Sequence, residues 1–178
     1  LEATEACRRV IRKINRTSLR QFMKTFKAVN EKLEMVFPKL FEGGKAKLVL
    51  TDPRKPLESG VSFFVHPPGK RLTRMSLLSG GEKALSAIAL IFSLFLIKPT
   101  AFCVFDEIDA PLDDANIYRF NSLLRQIGEE SQVILVTHNK QTMEVADALF
   151  GVTMEDKGIS KLFSLNLEGE QPSLRGAA

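Results

Sequence analysis

The sequence predicts an α/β fold with a largely parallel sheet and flanking helices, preceded by a long helix of the coiled-coil type. Apolar residues repeat at alternating steps of three and four between residues 19 and 36, which is typical of a helix that packs along a partner. Strands and helices alternate after residue 76, and this order favours a parallel sheet. Two short apolar runs, 101–105 and 132–137, are typical of strands covered on both faces.

Composition places the chain among soluble globular proteins. Its 178 residues are 44% hydrophobic and 26% charged, which is enough for one domain with a core. Cys7 and Cys103 are far apart and lack the spacing of metal ligands, so we expect neither a disulfide framework nor a cysteine metal site. The longest apolar stretch, 84–97, is shorter than the roughly 18 residues that cross a bilayer. We therefore expect a cytoplasmic protein with no membrane partner.

Charge is distributed unevenly along the chain. Residues 1–47 carry 12 Lys and Arg against 5 Asp and Glu, a net charge of +7. The remainder carries 13 against 16, a net charge of −3. An excess of positive charge favours a polyanionic partner such as nucleic acid. A solvated helix face is the alternative interpretation, and the charge alone leaves both open.

The N-terminal helix is predicted to span residues 2–36. We expect it to end just before Pro38, because proline disfavours helical backbone in the residue that precedes it. The helix has one apolar side on an otherwise charged surface, so it requires a partner helix. The stripe is formed by Leu19, Phe22, Phe26, Val29, Leu33 and Val36.

The remaining elements follow from apolar runs separated by glycine and proline. They are, in chain order, strands at 46–51 and 61–66, a buried helix at 82–97, a strand at 101–105, an amphipathic helix at 114–128, a strand at 132–137, a short helix at 140–146, and closing strands at 149–154 and 161–167. The predicted organisation is a coiled-coil base helix at 1–36, a folded lobe at 37–167 and a disordered tail at 168–178.

A phosphate-binding turn is predicted where Ser79-Gly80-Gly81 opens a helix. The first N–H groups of a helix have no intrahelical partner, and the helix dipole adds partial positive charge there. The two glycines let the backbone approach a ligand, and Ser79 can cap the helix and donate its hydroxyl. A phosphate is the natural occupant of such a site. An ordinary capped turn is the alternative for these three residues taken alone.

Asp106 and Glu107 end the apolar run at 101–105. Ligands of a parallel sheet bind beyond the carboxyl ends of its strands. Asp106 is placed there to hold Mg²⁺ directly or through water, and Glu107 points differently and can face an attacking water. Acids that only cap the next turn are the alternative.

Further polar residues follow at the same edge. Asp113 or Asp114 can cap the helix at 114–128. His138 lies at the tip of the next strand, from which it can reach a terminal phosphate. For His138 taken alone, a polar loop residue is the commoner interpretation.

Taken in this order, the parts resemble the C-terminal half of an ABC-class ATPase head. Leu78–Glu82 resembles the signature motif, Ala101–Glu107 the Walker B strand, Ala110–Asp114 the D-loop, and Thr137-His138 the switch-histidine region. The detailed amino-acid sequence in and around these motifs, from about residue 15 to 167, resembles a bacterial SMC (structural maintenance of chromosomes) protein. The stretches that carry this closer resemblance are Phe37–Gly44, Ser79–Leu85, Ala110–Asn116 and Gly151–Glu155.

The phosphate-cradling Walker A loop, G-x-x-x-x-G-K-[S/T], does not occur in this sequence. In SMC proteins that loop belongs to the N-terminal lobe, at the other end of a long antiparallel coiled coil. The resemblance therefore implies that residues 1–36 are the returning coiled-coil helix. The rest is then the C-terminal lobe of an ABC-type, P-loop NTPase-like ATPase head.

The resemblance also implies that ATP and Mg²⁺ are held between two engaged heads. Asp106 then supports Mg²⁺, Glu107 orients water, and His138 senses the terminal phosphate, all within their own head's site. Asp113 and Asp114 lie at the contact between heads. The residues that contact the ATP of the opposite head are Leu78, Ser79, Gly80, Gly81 and Glu82.

The partners implied by the resemblance are the N-terminal lobe of the same protein, a second SMC head in a homodimer, a kleisin subunit and DNA. ATP-driven closure and release of the heads would move DNA through a ring, in chromosome condensation, organisation and segregation. Such a protein is cytoplasmic and associated with the bacterial nucleoid. The isolated chain, without a Walker A loop, is expected to be inactive.

Three alternatives remain open at this point. A related coiled-coil DNA-repair ATPase shares the signature and the Walker B strand. A transporter nucleotide-binding domain would normally carry its Walker A loop upstream in the same chain and would more often have Gln at the position of Glu82. A non-catalytic module that only holds a kleisin or a coiled coil is disfavoured by Glu107, since a degenerate site tolerates another residue there.

Overall fold

The computed structural model describes residues 2–69, 72–156 and 158–166. The predicted tail at 168–178 lies outside these residues. The elements are α1 (Glu2–Phe41), β1 (Lys45–Leu50), β2 (Val61–His66), β3 (Thr73–Arg74), a 3₁₀ turn (Met75–Leu77), α2 (Gly80–Phe95), β4 (Phe102–Asp106), α3 (Asp114–Gly128), β5 (Gln132–Val136), α4 (Lys140–Met143), β6 (Ala148–Asp156) and β7 (Ile159–Asn166).

The predicted α/β class is confirmed, with a parallel strand pair at its centre. β4 and β5 run parallel, in register from Phe102 opposite Gln132 to Asp106 opposite Val136, and α3 connects them. The parallel part is smaller than predicted in the described residues, because the other strands pair antiparallel. These form a three-stranded sheet, β1-β2-β3, and a hairpin of β6 with β7.

The helix α1 continues through Pro38, so the prediction that it ends before this residue was wrong. A proline inside a helix costs about 3 kcal/mol. Phe37 and Leu40 lie beyond the predicted end and are fully buried, and burying each side chain contributes about 1.5–3 kcal/mol. The core contacts of the last turn therefore offset the cost of the proline.

The chain leaves α1 through a left-handed turn that requires glycine. The Gly43 N–H donates to the Pro38 carbonyl over 2.9 Å, and Gly44 has a φ of 75°. A Cβ at Gly44 would lie 2.4 Å from the His66 carbonyl oxygen, so only glycine fits between α1 and β2. This turn fixes the base of the long helix against the first sheet.

The core lies where the C-terminal part of α1, the helices α2 and α3 and one face of the β4-β5 sheet meet. Phe92 of α2 stacks on Phe120 of α3 with ring centroids 5.5 Å apart, and also packs against Phe105 of β4 at 5.9 Å. Burial raises the pKa of the Cys103 thiol beside this cluster, so the thiol behaves as a small apolar group. The predicted inward residues of α3, which are Ile117, Phe120, Leu123, Leu124 and Ile127, are all buried.

The outer face of the β4-β5 sheet is exposed, contrary to the prediction that both faces are covered. Phe102 and Val104 are 61% and 57% exposed, and Ile134 and Val136 are 45% and 51% exposed. Four exposed apolar side chains on one face of a parallel strand pair are unusual in water, because parallel strands are normally packed on both sides.

No helix in the described part of the chain is both long enough and apolar enough to cross a membrane.

Candidate functional site

The carboxyl ends of β4 and β5 bring the predicted acids and the histidine to one edge of the sheet. Asp106 lies opposite Val136 in the parallel register, so Glu107 and His138 extend from adjacent strand ends. The Glu107 N–H donates to the Val136 carbonyl over 2.9 Å and continues the ladder by one bond. Ligands of parallel sheets bind at this edge.

Glu107 and His138 form a pair at this edge. The Glu107 carboxylate lies 3.9 Å from His138 Nδ1, and the two side chains are 62% and 77% exposed. An exposed pair of this kind contributes only about 0–1 kcal/mol to folding, so its placement matters more than its strength. Glu107 also has a φ of 47°, a left-handed backbone that costs a residue with a side chain about 1–2 kcal/mol. Such strain is typical of functional positions.

A buried carboxylate that the sequence patterns did not single out lies behind this pair. Asp109 is only 2% exposed, and its Oδ2 accepts hydrogen bonds from the hydroxyls of Thr137 and Thr142, each over 2.6 Å. Thr137 Oγ1 in turn accepts from the Asn139 N–H over 2.9 Å. We call Asp109, Thr137 and Thr142 the Asp109 latch, since together they join the loop after β4 to the end of β5 and to α4.

The predicted phosphate turn, Leu78–Glu82, is a capped helix N-terminus that we call the glycine turn. Ser79 is the N-cap of α2 in a capping box: its hydroxyl accepts from the Glu82 N–H, and its own N–H donates to Glu82 Oε2 over 3.1 Å. Leu78 is buried and anchors the turn in the core, whereas Ser79 and both glycines are exposed. The exposed helix start can therefore meet an anion from outside.

The two glycines of this turn have no conformational need to be glycine. Neither has a left-handed φ, and a Cβ at Gly80 would meet nothing within 4 Å. A Cβ at Gly81 would lie 3.5 Å from the Pro111 carbonyl oxygen, which is an ordinary contact. Their absent side chains instead leave the helix start open to close approach.

The acidic turn before α3 lies beside the glycine turn, since a Cβ built on Gly81 would come within 3.5 Å of the Pro111 carbonyl oxygen. Asp113 is the N-cap of α3 and accepts from the Asn116 N–H over 2.8 Å, while Asp114 stands in the first helical turn. Both side chains are exposed. Asp113 thus has a local capping role, which sequence reasoning allowed for.

The glycine turn and the Glu107–His138 pair are separate groups. In the described part of the chain, no hydrogen bond or ion pair joins Ser79, Gly80 or Gly81 to Asp106 or Glu107.

The described residues contain no group of three or more His, Cys, Asp or Glu side chains that could by themselves hold a metal ion. Asp106 is an exposed carboxylate at the strand end, and one carboxylate completed by water and substrate phosphates is the usual way in which proteins bind Mg²⁺. This donor therefore fits Mg²⁺ delivered with a nucleotide.

Comparison with known proteins gives a consistent match over most of the chain. Residues 11–161 match the family described as RecF/RecN/SMC N terminal domain. The "Chromosome partition protein Smc" of Myxococcus xanthus is 52% identical over 163 residues, which is 92% of this chain and 14% of that protein. The chain thus spans about one seventh of the length of the curated relatives it matches.

Solved structures match in fold as well as in sequence. A head domain of Smc from Pyrococcus furiosus, with an extended coiled coil and bound to the C-terminal domain of ScpA, has a TM-score of 0.83 and 41% identity. The match covers 92% of this chain and 41% of that chain. A structure from work on ATP-driven dimerization and DNA stimulated activation of SMC ATPases has a TM-score of 0.76 and 42% identity, covering 84% of this chain and 90% of that one.

Proposed function

The chain belongs to the RecF/RecN/SMC family, within the bacterial SMC proteins, and we propose that it is one half of an ATP-hydrolysing head. It supplies the C-terminal lobe, and the N-terminal lobe of the same protein supplies the Walker A loop. The observation that carries this proposal is the Glu107–His138 pair at the carboxyl edge of β4 and β5. A relative studied for ATP-driven dimerization supports it.

Hydrolysis in this proposal uses three side chains at the sheet edge. Asp106 would hold Mg²⁺, which would supply positive charge against the phosphates. Glu107 accepts a hydrogen bond from the attacking water and orients it, and His138 donates to the terminal phosphate. The Glu107 and His138 side chains lie 3.9 Å apart and both are largely exposed, so both can face one substrate.

The glycine turn serves the opposite head. Ser79 and the N–H groups that follow it form an exposed anion site, while the contacts described for Ser79 lie within its own turn. A terminal phosphate presented by a second head would meet the open helix start. Asp113 and Asp114, beside the glycine turn, then lie at the contact between the two heads. The assembly formed in this way is a homodimer with two ATP molecules between the heads.

The N-terminal lobe covers the exposed outer face of the β4-β5 sheet. Phe102, Val104, Ile134 and Val136 expose an apolar surface on strands of a type that is normally buried on both faces. The N-terminal part of α1 gives a second requirement, because its apolar residues Ile11 and Ile14 are more than half exposed. The later part of the stripe, by contrast, is buried within this lobe at Val29, Leu33 and Val36. An antiparallel partner helix from the N-terminal half satisfies this second requirement.

Further partners follow from charge and from the relatives. The positive charge of residues 1–47 favours DNA, which the comparison with a DNA-stimulated SMC ATPase supports. A kleisin subunit docks on this lobe, much as the Pyrococcus furiosus head holds the C-terminal domain of ScpA. We propose that ATP-driven closure and release of the heads moves DNA in chromosome condensation and segregation, in the cytoplasm at the nucleoid.

The replacement of Glu107 by Gln tests this function in the intact protein. We expect ATP turnover to fall by about 10²–10⁴-fold, because the general base is lost while the shape of the side chain is kept. ATP binding should persist, and closed heads should accumulate, which crosslinking across the head contact measures. Glu129→Gln is the matched control, since Glu129 is an exposed acid at the far end of α3. Unchanged turnover in the Glu107 variant, or robust turnover by the 178 residues alone, would contradict the proposal.

A further inference from the structure

Asp109 is buried at the candidate site, yet none of the proposed chemical steps uses it. It lies two residues after Glu107 and accepts hydrogen bonds from hydroxyls that are 28 and 33 residues away in the sequence. Burying a carboxylate is costly unless it is well hydrogen-bonded. A charged group is an expensive way to fasten two loops, which suggests that its contacts serve a purpose beyond packing.

Both hydrogen bonds to Asp109 are donated by threonine hydroxyls, because a carboxylate can only accept. Thr137 Oγ1 also accepts the Asn139 N–H, so this one hydroxyl bridges Asp109 and the backbone after His138. The two O–H···O distances of 2.6 Å are in the range of charge-assisted bonds, which are about twice as strong as neutral ones. Asp109 and Thr142 are 2% and 1% exposed, so water does not compete effectively for these bonds.

Each end of the latch adjoins a residue of the site. On one side, the Ala110 N–H donates to the Glu107 carbonyl over 3.1 Å, which makes a tight turn that contains Asp109. On the other side, Thr137 and Asn139 flank His138 and are bonded to each other. Glu107 keeps a left-handed backbone, and a strained conformation persists only where its surroundings restrain it from several directions.

We propose, on the basis of the ATPase function above, that Asp109 is a positioning residue for hydrolysis. Its carboxylate fastens the loop that carries Glu107 to the strand end that carries His138 and to α4. The latch thereby sets the distance between the Glu107 carboxylate and His138. Loss of the latch should misplace the water-orienting group relative to His138, while Asp106 in the β4-β5 ladder and the glycine turn keep their own contacts.

The test compares variants of the full-length protein in steady-state ATP turnover and in nucleotide binding. We expect Asp109→Ala to lower kcat by about 100-fold, which is the cost of a shift of roughly 1 Å in a reacting group, with the Kd for ATP changed by less than about twofold. Asp109→Asn keeps the shape but weakens the bonds to both hydroxyls, so its loss should be intermediate. Thr142→Val removes one of the two bonds without touching Glu107 or His138, and it should give the smallest loss.

Ser93→Ala is the matched control for these variants. The Ser93 hydroxyl is fully buried and donates to the Ala89 carbonyl over 2.6 Å, within α2 and away from the sheet edge. Its removal is therefore the loss of one buried hydrogen bond, made to a neutral carbonyl, outside the latch. We expect kcat to stay within about twofold of the native value.

A double-mutant cycle with Glu107 separates positioning from a general structural role. If Asp109 acts by placing Glu107, Asp109→Ala should lower kcat much less in a Glu107→Gln background, where the water-orienting group is already lost, than in the native one. A structural defect would lower kcat by the same factor in both backgrounds, and that result would overturn the proposal. If Asp109→Ala does not fold, Asp109→Asn and Thr142→Val test the proposal in its place. A native kcat in both of these variants would overturn the positioning role of Asp109.

The same experiments distinguish an incorrect role for Asp109 from an incorrect assignment of the ATPase function. A native protein that does not hydrolyse ATP, or whose turnover is unaffected by Glu107→Gln, overturns both proposals. Turnover that Glu107→Gln abolishes but the Asp109 variants leave unchanged overturns the latch alone.

Discussion

The glycine turn and the loop after β4 hold their functional groups in different ways. Ser79 is fixed by Glu82, three residues further along the chain, and the turn is exposed. Glu107 depends on β5, and Asp109 beside it depends on the end of β5 and on α4. A locally held turn can be presented to another body, whereas a loop held from three sides keeps a fixed position within its own site.

This difference agrees with the proposed division of labour between the two heads. In that proposal the turn binds and releases a phosphate that arrives with a second head, which suits an exposed surface. The water-orienting group is proposed to keep its geometry through each cycle, which suits a loop restrained by buried contacts.

The largest effect is expected for Ser79→Arg in the intact protein. A long cationic side chain at the exposed helix start should keep the second head from closing, and ATP turnover should fall by at least about 100-fold. ATP binding to the separate head should be unchanged, which a fluorescent nucleotide measures. Ser122→Arg, at an exposed position of α3, is the control for added charge. If ATP binding is lost in Ser79→Arg, Ser79 acts in its own head's site.

A smaller effect on stability is expected for Thr142→Val. Hydrogen bonds to charged groups contribute about 1.5–3 kcal/mol, so the region of α4 and the end of β5 should open more easily by about that amount. Hydrogen exchange of the Asn139 and Met143 amides measures this opening. Exchange should not change in α2, because the hydrogen bonds of the latch reach only the end of β5 and α4. Equal acceleration in both regions would show that the two are not separate units.

Ser79→Ala should loosen only its own turn. Loss of an N-cap side chain costs about 1 kcal/mol, and here the exchange of the amides of Glu82 and Lys83 should accelerate. The Asp109 latch should keep its protection, since it makes its contacts with β5 and α4. Accelerated exchange at Asn139 would contradict this independence.

The smallest effect on folding is expected for Gly80→Ala. The backbone of Gly80 is not left-handed and a Cβ there meets open space, so stability should rise by about 0.4–1 kcal/mol or stay the same. Thermal unfolding of the intact protein measures this. Turnover should nevertheless fall, because the methyl group obstructs the approach of the phosphate. Gly44→Ala is the contrasting variant: its Cβ would collide with the His66 carbonyl, and it should destabilise the fold strongly.

Residues in local patterns could be predicted from the sequence. Ser79 marks the start of an apolar helix, whereas Asp106, Glu107 and His138 follow the ends of apolar strands. The carboxyl ends of β4 and β5 meet because parallel strands share an edge. The α/β class and the inward face of α3 followed from periodicity in the same way. The roles assigned to these residues remain proposals.

Features that depend on contacts between residues far apart in the sequence could not be predicted from the same local patterns. Asp109 stands among Asp106, Glu107 and the acids of the next turn, and only its distant hydroxyl partners distinguish it from them. A weak signal was present, because Asp109 lies between Ile108 and Ala110 and a threonine follows the next strand. Pro38 was misjudged for a related reason, since the burial of Phe37 and Leu40 depends on helices far along the chain.

A mixing experiment tests most directly whether Glu107 and Ser79 act in different heads. Proteins carrying Glu107→Gln or Ser79→Ala should each be nearly inactive, since loss of a phosphate donor costs about 10²–10³-fold. In an equal mixture about half of the dimers are mixed, and each mixed dimer has one site with a native Glu107 from one head and a native Ser79 from the other. Activity should therefore recover to about a quarter of the native value. If the mixture stays as inactive as its components, Glu107 and Ser79 serve the same head's ATP, and the half-site arrangement is wrong.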